Sequence, residues 1–189
     1  KYDFKGRTLI QTLGILPLVM PPFVGAVALQ LILGRSGVFN LLLLKWFNTS
    51  IPFMEGLRGV IIVQTLHYFP FIFINASASL ANVDPSLEEM AQNMGAHGLR
   101  LFRRVTLPLM MPGYVAGILL VFIRVIDDLG TPLMLNYTKM LAPQAYLRVT
   151  TIGVEDKAGY VICVIMVVLS LLSLWVAMKF LSLSEYAMV

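Results

Sequence analysis

Four long apolar runs, divided by one strongly polar stretch, constrain this chain more than any other feature. A helix that crosses the hydrocarbon core of a bilayer needs roughly 17–25 mostly apolar residues. Residues 8–34, 59–80, 109–126 and 160–183 each qualify. Of 189 residues, 58% are hydrophobic and 13% charged, more apolar side chains than a soluble core of this size needs. Mean hydropathy is +0.83. The expected fold is all-α, a polytopic transmembrane helix bundle forming a single domain over residues 1–189, with a polar loop at 84–108 held outside the membrane.

Several function classes drop out at once. The formal charge of +4 is modest and spread through loops, so no nucleic-acid partner is expected. The single cysteine, Cys163, excludes an internal disulfide and a cysteine metal cluster, and reads as a small packing residue. No metal site or cofactor is expected. No G-x-x-x-x-G-K-[ST] sequence occurs, so ATP chemistry would have to come from a partner and no catalytic residue is assigned. The opening KYDFKGR reads as a polar juxtamembrane segment, with one or more leading helices expected before it. The N-x-[ST] matches at Asn48, Asn75 and Asn136 read as chance.

Along the chain, Pro17, Pro21 and Pro22 predict a kinked first span packed inside the bundle. The motif RSGVFN at 35–40 leads to a short apolar run, 41–47, with Lys45 and Trp46 suited to the headgroup level, hence an interfacial helix. The second span holds Gln64, His67 and Pro70 and ends in small residues at 76–79, which favour close packing. Gly113 and Gly117 form a G-x-x-x-G pair in the third span. Near its end stand Arg124, Asp127 and Asp128, with an i, i+4 pair of Arg124 and Asp128 expected if the helix continues. Polar groups in lipid are costly, which makes His67, Arg124, Asp127 and Asp128 candidate pathway residues. The competing readings are a histidine satisfied by a neighbouring helix and an interface ion pair. Residues 133–159 read as a long connection with a β-like patch at 146–151, and the last span ends near Trp175 and Lys179.

The polar stretch has its own logic. Asp84 suits an N-cap, Pro85 the first helical position, and Glu88 and Glu89 the positive end of a helix dipole. Leu87, Met90, Ala91 and Met94 share one face, and Gly95 is placed to end the helix. A second short helix is expected over 99–106, with Leu99, Phe102 and Val105 opposite Arg100, Arg103 and Arg104, stopped or bent at Pro108. Two amphipathic helices joined by a glycine turn make a knob for docking another protein. Basic residues divide almost evenly between the two membrane sides, and the cluster at Arg100, Arg103 and Arg104 assigns the loop to the cytoplasm.

Glu89, Met90, Ala91, three residues, Gly95, nine residues, then Val105, Thr106, Leu107 and Pro108 resemble the E-A-A…G…I-x-L-P signature of binding-protein-dependent ABC importer permeases. Met90 and Val105 replace the usual Ala and Ile and stay apolar. The resemblance implies the core of a type I importer permease in the bacterial inner membrane. It also implies a coupling helix that docks an ATP-binding cassette subunit through Glu88, Glu89, Met90, Ala91, Gly95, Ala96, Arg103, Leu107 and Pro108. The partners it implies are that ATPase subunit, a second permease half (identical, different or fused), a periplasmic substrate-binding protein and membrane lipid. The chain itself would be no enzyme.

Within the family, GRSGVFN and the run from Asp128 to Pro132 are similar to the ferric-iron type, although Leu129 replaces the usual Phe of D-F-G-T-P. The resemblance thus points to ferric iron as cargo, with 2-aminoethylphosphonate, thiamine or polyamine permeases sharing much of the pattern. The rivals from other classes are an ion-gradient-driven carrier with Arg124, Asp127, Asp128 and His67 as its relay, and a membrane scaffold without transport.

Overall fold

A computed structural model describes residues 5–153 and 155–185. Residues 1–4, the start of the opening polar segment, lie outside the described part. The helices are α1 (Arg7–Ile15), α2 (Pro22–Leu33), α3 (Val38–Phe47), α4 (Gly56–Ala81), α5 (Pro85–Asn93), α6 (Gly98–Leu101), α7 (Leu107–Asp127), α8 (Gly130–Met134), α9 (Leu141–Leu147) and α10 (Lys157–Glu185). A 3₁₀ turn at Leu16–Val19 follows α1, and π turns at Phe102–Thr106 and Arg148–Ile152 follow α6 and α9. Among the described residues there is no strand. Among the described residues, four stretches are long and apolar enough to cross a membrane: Pro22–Phe47, Gly56–Ala81, Gly98–Asp127 and Lys157–Phe180.

The first run is not one kinked span. Met20 and Pro21 are extended, with ψ of 136° and 142°. Each precedes a proline, whose ring disfavours the α conformation in the residue before it. The helix therefore stops and restarts at Pro22. The apolar stretch Pro22–Phe47 is also interrupted, at 34–37, where Gly37 N–H donates to the Gly34 carbonyl at 2.9 Å. A Cβ on Gly37 would sit 2.6 Å from the Ile32 carbonyl oxygen, so the turn requires glycine. α3 starts at Val38, earlier than the apolar run at 41–47 suggested.

Asn40 closes this corner. Its side chain is fully buried, its amide donates to the carbonyls of Gly34 and Ile51, both at 2.9 Å, and its Oδ1 accepts from Ile51 N–H at 2.9 Å. The motif GRSGVFN thus has a local cause: two glycines for the turn and an asparagine that pins the loop after α3 onto it. Beside it, Arg35 and Glu55 form an exposed ion pair at 3.1 Å. Replacing Asn40 with Ala strands the buried Gly34 carbonyl and the part-buried groups of Ile51, which costs about 1–3 kcal/mol. A lower unfolding midpoint in detergent is the expected result, and an unchanged midpoint would remove the corner role.

The seam of the bundle lies between α4 and α7. Gly113 and Gly117 face α4 so closely that a Cβ on Gly113 would meet Ser79 Cβ and lie 2.7 Å from the Asn75 carbonyl oxygen. One on Gly117 would lie 2.9 Å from Ile72 Cα. The G-x-x-x-G pair and the small residues at the end of α4 therefore pack as expected. A second core joins Ala26, Met54, Val60, Val63 and Leu135, where α2 and α4 meet the residue that follows α8.

Two expectations are corrected. The β-like patch at 146–151 is helical: Thr150 Oγ1 donates to the Tyr146 carbonyl at 2.8 Å, and Thr151 Oγ1 donates to that of Leu147. Those side-chain bonds and the burial of Ala142, Pro143 and Ala145 override β-branched propensity. Cys163 is exposed rather than a packing residue. α10 is apolar all round, and a helix of that kind does not reveal from sequence which face is turned inward.

Candidate functional site

The loop between α4 and α7 is assembled from local rules. Asp84 Oδ1 accepts from Ser86 N–H at 2.8 Å, Pro85 occupies the first turn, and Glu88 brings negative charge there. The far end of α5 is a Schellman close, with Ala96 N–H donating to the Ala91 carbonyl and Gly95 N–H to that of Gln92, both at 2.9 Å. Gly95 has φ of +87°, the left-handed region the motif requires. Glu88 Oε1 accepts from Thr106 Oγ1 at 2.9 Å, so α5 is tied to the helix leading into α7.

The second short helix does not stand alone. Gly98–Leu101 runs through the π turn into α7, and Leu107 N–H donates to the Phe102 carbonyl. Pro108 neither stops nor breaks this rod. The wider turn just before it accommodates the ring and the missing N–H that would strain a regular α-helix. The buried residues are Leu101 and Thr106, while Leu99 and Phe102, on the side opposite the arginines, are 70% and 44% exposed.

The apolar face of α5 is only partly covered. Ala91 is buried and Glu88 half-buried, whereas Met90 and Met94 are 54% and 86% exposed and Leu87 is exposed. Glu89 and Arg103 are exposed and Ala96 is half-buried. Leu87, Met90 and Met94 border a 710 Å³ open groove whose other wall is Arg104, Val105, Pro108 and Leu109. An apolar strip on an otherwise polar helix is left uncovered beside three exposed arginines.

The four candidate pathway residues have different surroundings. Asp128 is buried, accepting from Gln64 Nε2 and from Thr131 N–H, both at 3.1 Å. The expected pair of Arg124 and Asp128 does not form, because α7 ends at Asp127 and Asp128 turns extended, with ψ of 106°. Arg124 lies over the Phe71 ring, 5.7 Å from its centroid. Asp127 is exposed and lines a 590 Å³ groove with Cys163 and Ser170, on the side of α7 that faces α9 and α10. His67 borders a 260 Å³ apolar cleft against Pro17, Met20 and Leu29, with its ring edge-to-face on Tyr68 at 4.9 Å.

Gln64, read from sequence only as an interruption of the second span, holds the buried carboxylate. The signal was there, since a polar side chain inside a span calls for a partner. What sequence does not give is which of the neighbouring acids it reaches.

Residues 1–183 match the family described as binding-protein-dependent transport system inner membrane component. The chain is 33% identical over 177 residues to the molybdenum transport system permease protein ModB of Haemophilus influenzae, covering 91% of this chain and 76% of that protein. It is 36% identical over 154 residues to a probable molybdenum ABC transporter permease protein of Haloferax volcanii, covering 81% and 55%. With a putative ferric transport system permease protein, FbpB 1 of H. influenzae, it shares 34% identity over 137 residues, or 71% of this chain and 22% of that protein.

Among solved structures, the MetNI methionine ABC transporter in inward-facing conformations superposes with a TM-score of 0.68 at 19% identity, covering 95% of this chain and 76% of that one. A bacterial alginate ABC transporter in complex with its pentasaccharide-bound periplasmic protein gives 0.64 at 19% identity, over 98% and 66%. The solved structures establish the fold. The family model, matched over nearly the whole length, establishes membership: this chain belongs to the binding-protein-dependent transport system inner membrane components, as a multi-pass inner-membrane permease of the ABC importer class.

Proposed function

We propose that this permease passes a molybdate-type tetrahedral oxyanion, and that α5 with its Gly95 turn docks a separate ATP-hydrolysing subunit. Importers of this class work with such an ATPase, a second permease half and a periplasmic binding protein. The observation carrying the cargo is the breadth of the likeness: molybdenum permeases are matched over 81–91% of this chain and 55–76% of their own length. Two ferric permeases are matched over 71–84% of this chain but only 22–23% of their own length. Iron, suggested by GRSGVFN and the run from Asp128 to Pro132, is therefore not favoured over molybdate, and Asn40 gives the first motif a structural cause of its own.

Docking is supported by the uncovered strip of Leu87, Met90 and Met94. Apolar side chains at that spacing on a helix outside the membrane-length spans are stabilised by a protein cover. In this reading Glu88, Ala91 and Ala96 hold the element on the bundle, Glu89, Met90 and Arg103 face the ATPase, Gly95 allows the turn, and Leu107 and Pro108 carry its motion into α7. His67, Arg124, Asp127 and Asp128 remain the candidate pathway groups. A carrier driven by an ion gradient would not need this element.

The test is uptake by liposomes containing the complete transporter and its binding protein. Labelled molybdate should enter only with ATP and be displaced by excess tungstate, with ferric iron ineffective. Uptake of iron alone would overturn the cargo, and uptake that survives without ATP but collapses with a proton uncoupler would overturn the power source.

A further inference from the structure

Two different kinds of contact join α4 to the α7 chain. Toward the α5 loop the glycine backbone at Gly113 and Gly117 lies against the backbone at Ile72 and Asn75 and the short side chains of Asn75 and Ser79. Close packing of this kind leaves little room for rearrangement. About 16 Å farther along α7, by the helical rise from Gly117, the link is polar: Gln64 Nε2 donates to Asp128 Oδ2 at 3.1 Å. Gln64, Tyr68 and Asp128 are 6%, 5% and 6% exposed, and Thr131 is fully buried.

The carboxylate is held by neutral donors. Thr131 N–H bonds Oδ1 at 3.1 Å, the Tyr68 phenol lies beside it, and no ion pair to Arg124 forms. α2 and α8, which also pack here, carry no ionisable side chain. Asp128 is at the same time the residue where α7 ends and the chain turns into α8. That bond ties the end of α7 and the start of α8 to α4, beside the apolar cluster of Val60, Val63 and Leu135.

We infer that the hydrogen bond from Gln64 to Asp128 is a latch that keeps the far end of the α4/α7 pair closed, with the Gly113 and Gly117 contact as its pivot. Gln64 is a positioning residue: it acts by holding Asp128. Opening at that end breaks this bond beside the apolar cluster of Val60, Val63 and Leu135 and leaves the glycine contact intact. The inference rests on the transport reading, in which the end of the pathway remote from the ATPase opens and closes in each cycle.

The experiment uses the complete transporter in liposomes and compares ATP hydrolysis with and without binding protein. Gln64→Glu is nearly isosteric and sets a second carboxylate against Asp128, so the latch opens unprompted. Hydrolysis without binding protein should rise about tenfold. The double variant Gln64→Glu with Asp128→Asn reverses the polarity of the same bond, since an amide at 128 donates to a carboxylate at 64, and should return within about twofold of wild type. A residue that served only to fill space would show no such rescue.

Asp128→Asn alone leaves a weaker amide pair and should rise a few-fold, which keeps the test open if Gln64→Glu fails to assemble. Wild-type coupling in either single variant, or a double variant no better than Gln64→Glu, would overturn the latch. A wild-type transporter whose hydrolysis ignores the binding protein would instead defeat the transport reading, leaving the two failures distinguishable.

Discussion

Gly117→Ala is expected to lower the unfolding midpoint of the purified permease sharply, and Gly117→Leu to prevent its recovery as a monodisperse species. The added Cβ would lie 2.9 Å from Ile72 Cα, a backbone atom that cannot rotate away. Either the seam between α4 and α7 separates or the helix backbone bends. Overpacking of a close contact costs about 1–3 kcal/mol for small insertions and more where backbone must move. Gly25 provides the internal control, because a Cβ there meets nothing within 4 Å. Gly25→Ala in α2 should be neutral or stabilising, by up to about 1 kcal/mol of helix propensity. Size-exclusion profiles and thermal unfolding in one detergent would compare the set. Equal behaviour of Gly25→Ala and Gly117→Ala would show that the α4/α7 contact is not close.

The second large effect is expected at Gly95. Its φ of +87° closes α5, and a side chain there meets nothing within 4 Å, so the penalty of Gly95→Leu is conformational rather than steric crowding. A left-handed residue with a Cβ costs about 1–2 kcal/mol. That is too little to unfold the bundle, yet enough to reorient α5 relative to α7. The variant should insert and purify normally while ATP-driven uptake falls about tenfold. Gly95→Asn should recover much of it, since asparagine tolerates this conformation. Full uptake by Gly95→Leu would remove the turn from the coupling role.

How far the sequence reached depended on whether a signal was local. The start of α5 at Asp84 and Pro85, the close at Gly95 and the approach at Gly113 and Gly117 follow from rules that involve a few neighbouring residues, and all were legible. The break at Met20 and Pro21 was written in the prolines as well, but a membrane-length apolar run outweighed it. The other misread features required knowing what lies opposite. Thr150 and Thr151 favour a strand until their hydroxyls find carbonyls one turn back. Cys163 sits on a helix whose every face is apolar. Arg124 and Asp128 are spaced to pair, yet the helix ends one residue too soon, and the carboxylate goes to Gln64, 64 positions earlier in the chain.

The π turn at Phe102–Thr106 has a geometric consequence for the loop. Leu101 and Thr106, both buried, are five positions apart, the repeat of a π turn; on an α-helix they would point well away from each other. A residue inserted into a 3.6-residue repeat shifts the phase of everything on its N-terminal side by about 100°. Leu99 therefore presents an azimuth around the α7 axis that is set by residue count, and the hydrogen bond from Thr106 to Glu88 holds the α5 strip beside it. The direction in which the loop faces is indexed to the span like a key cut to one tooth.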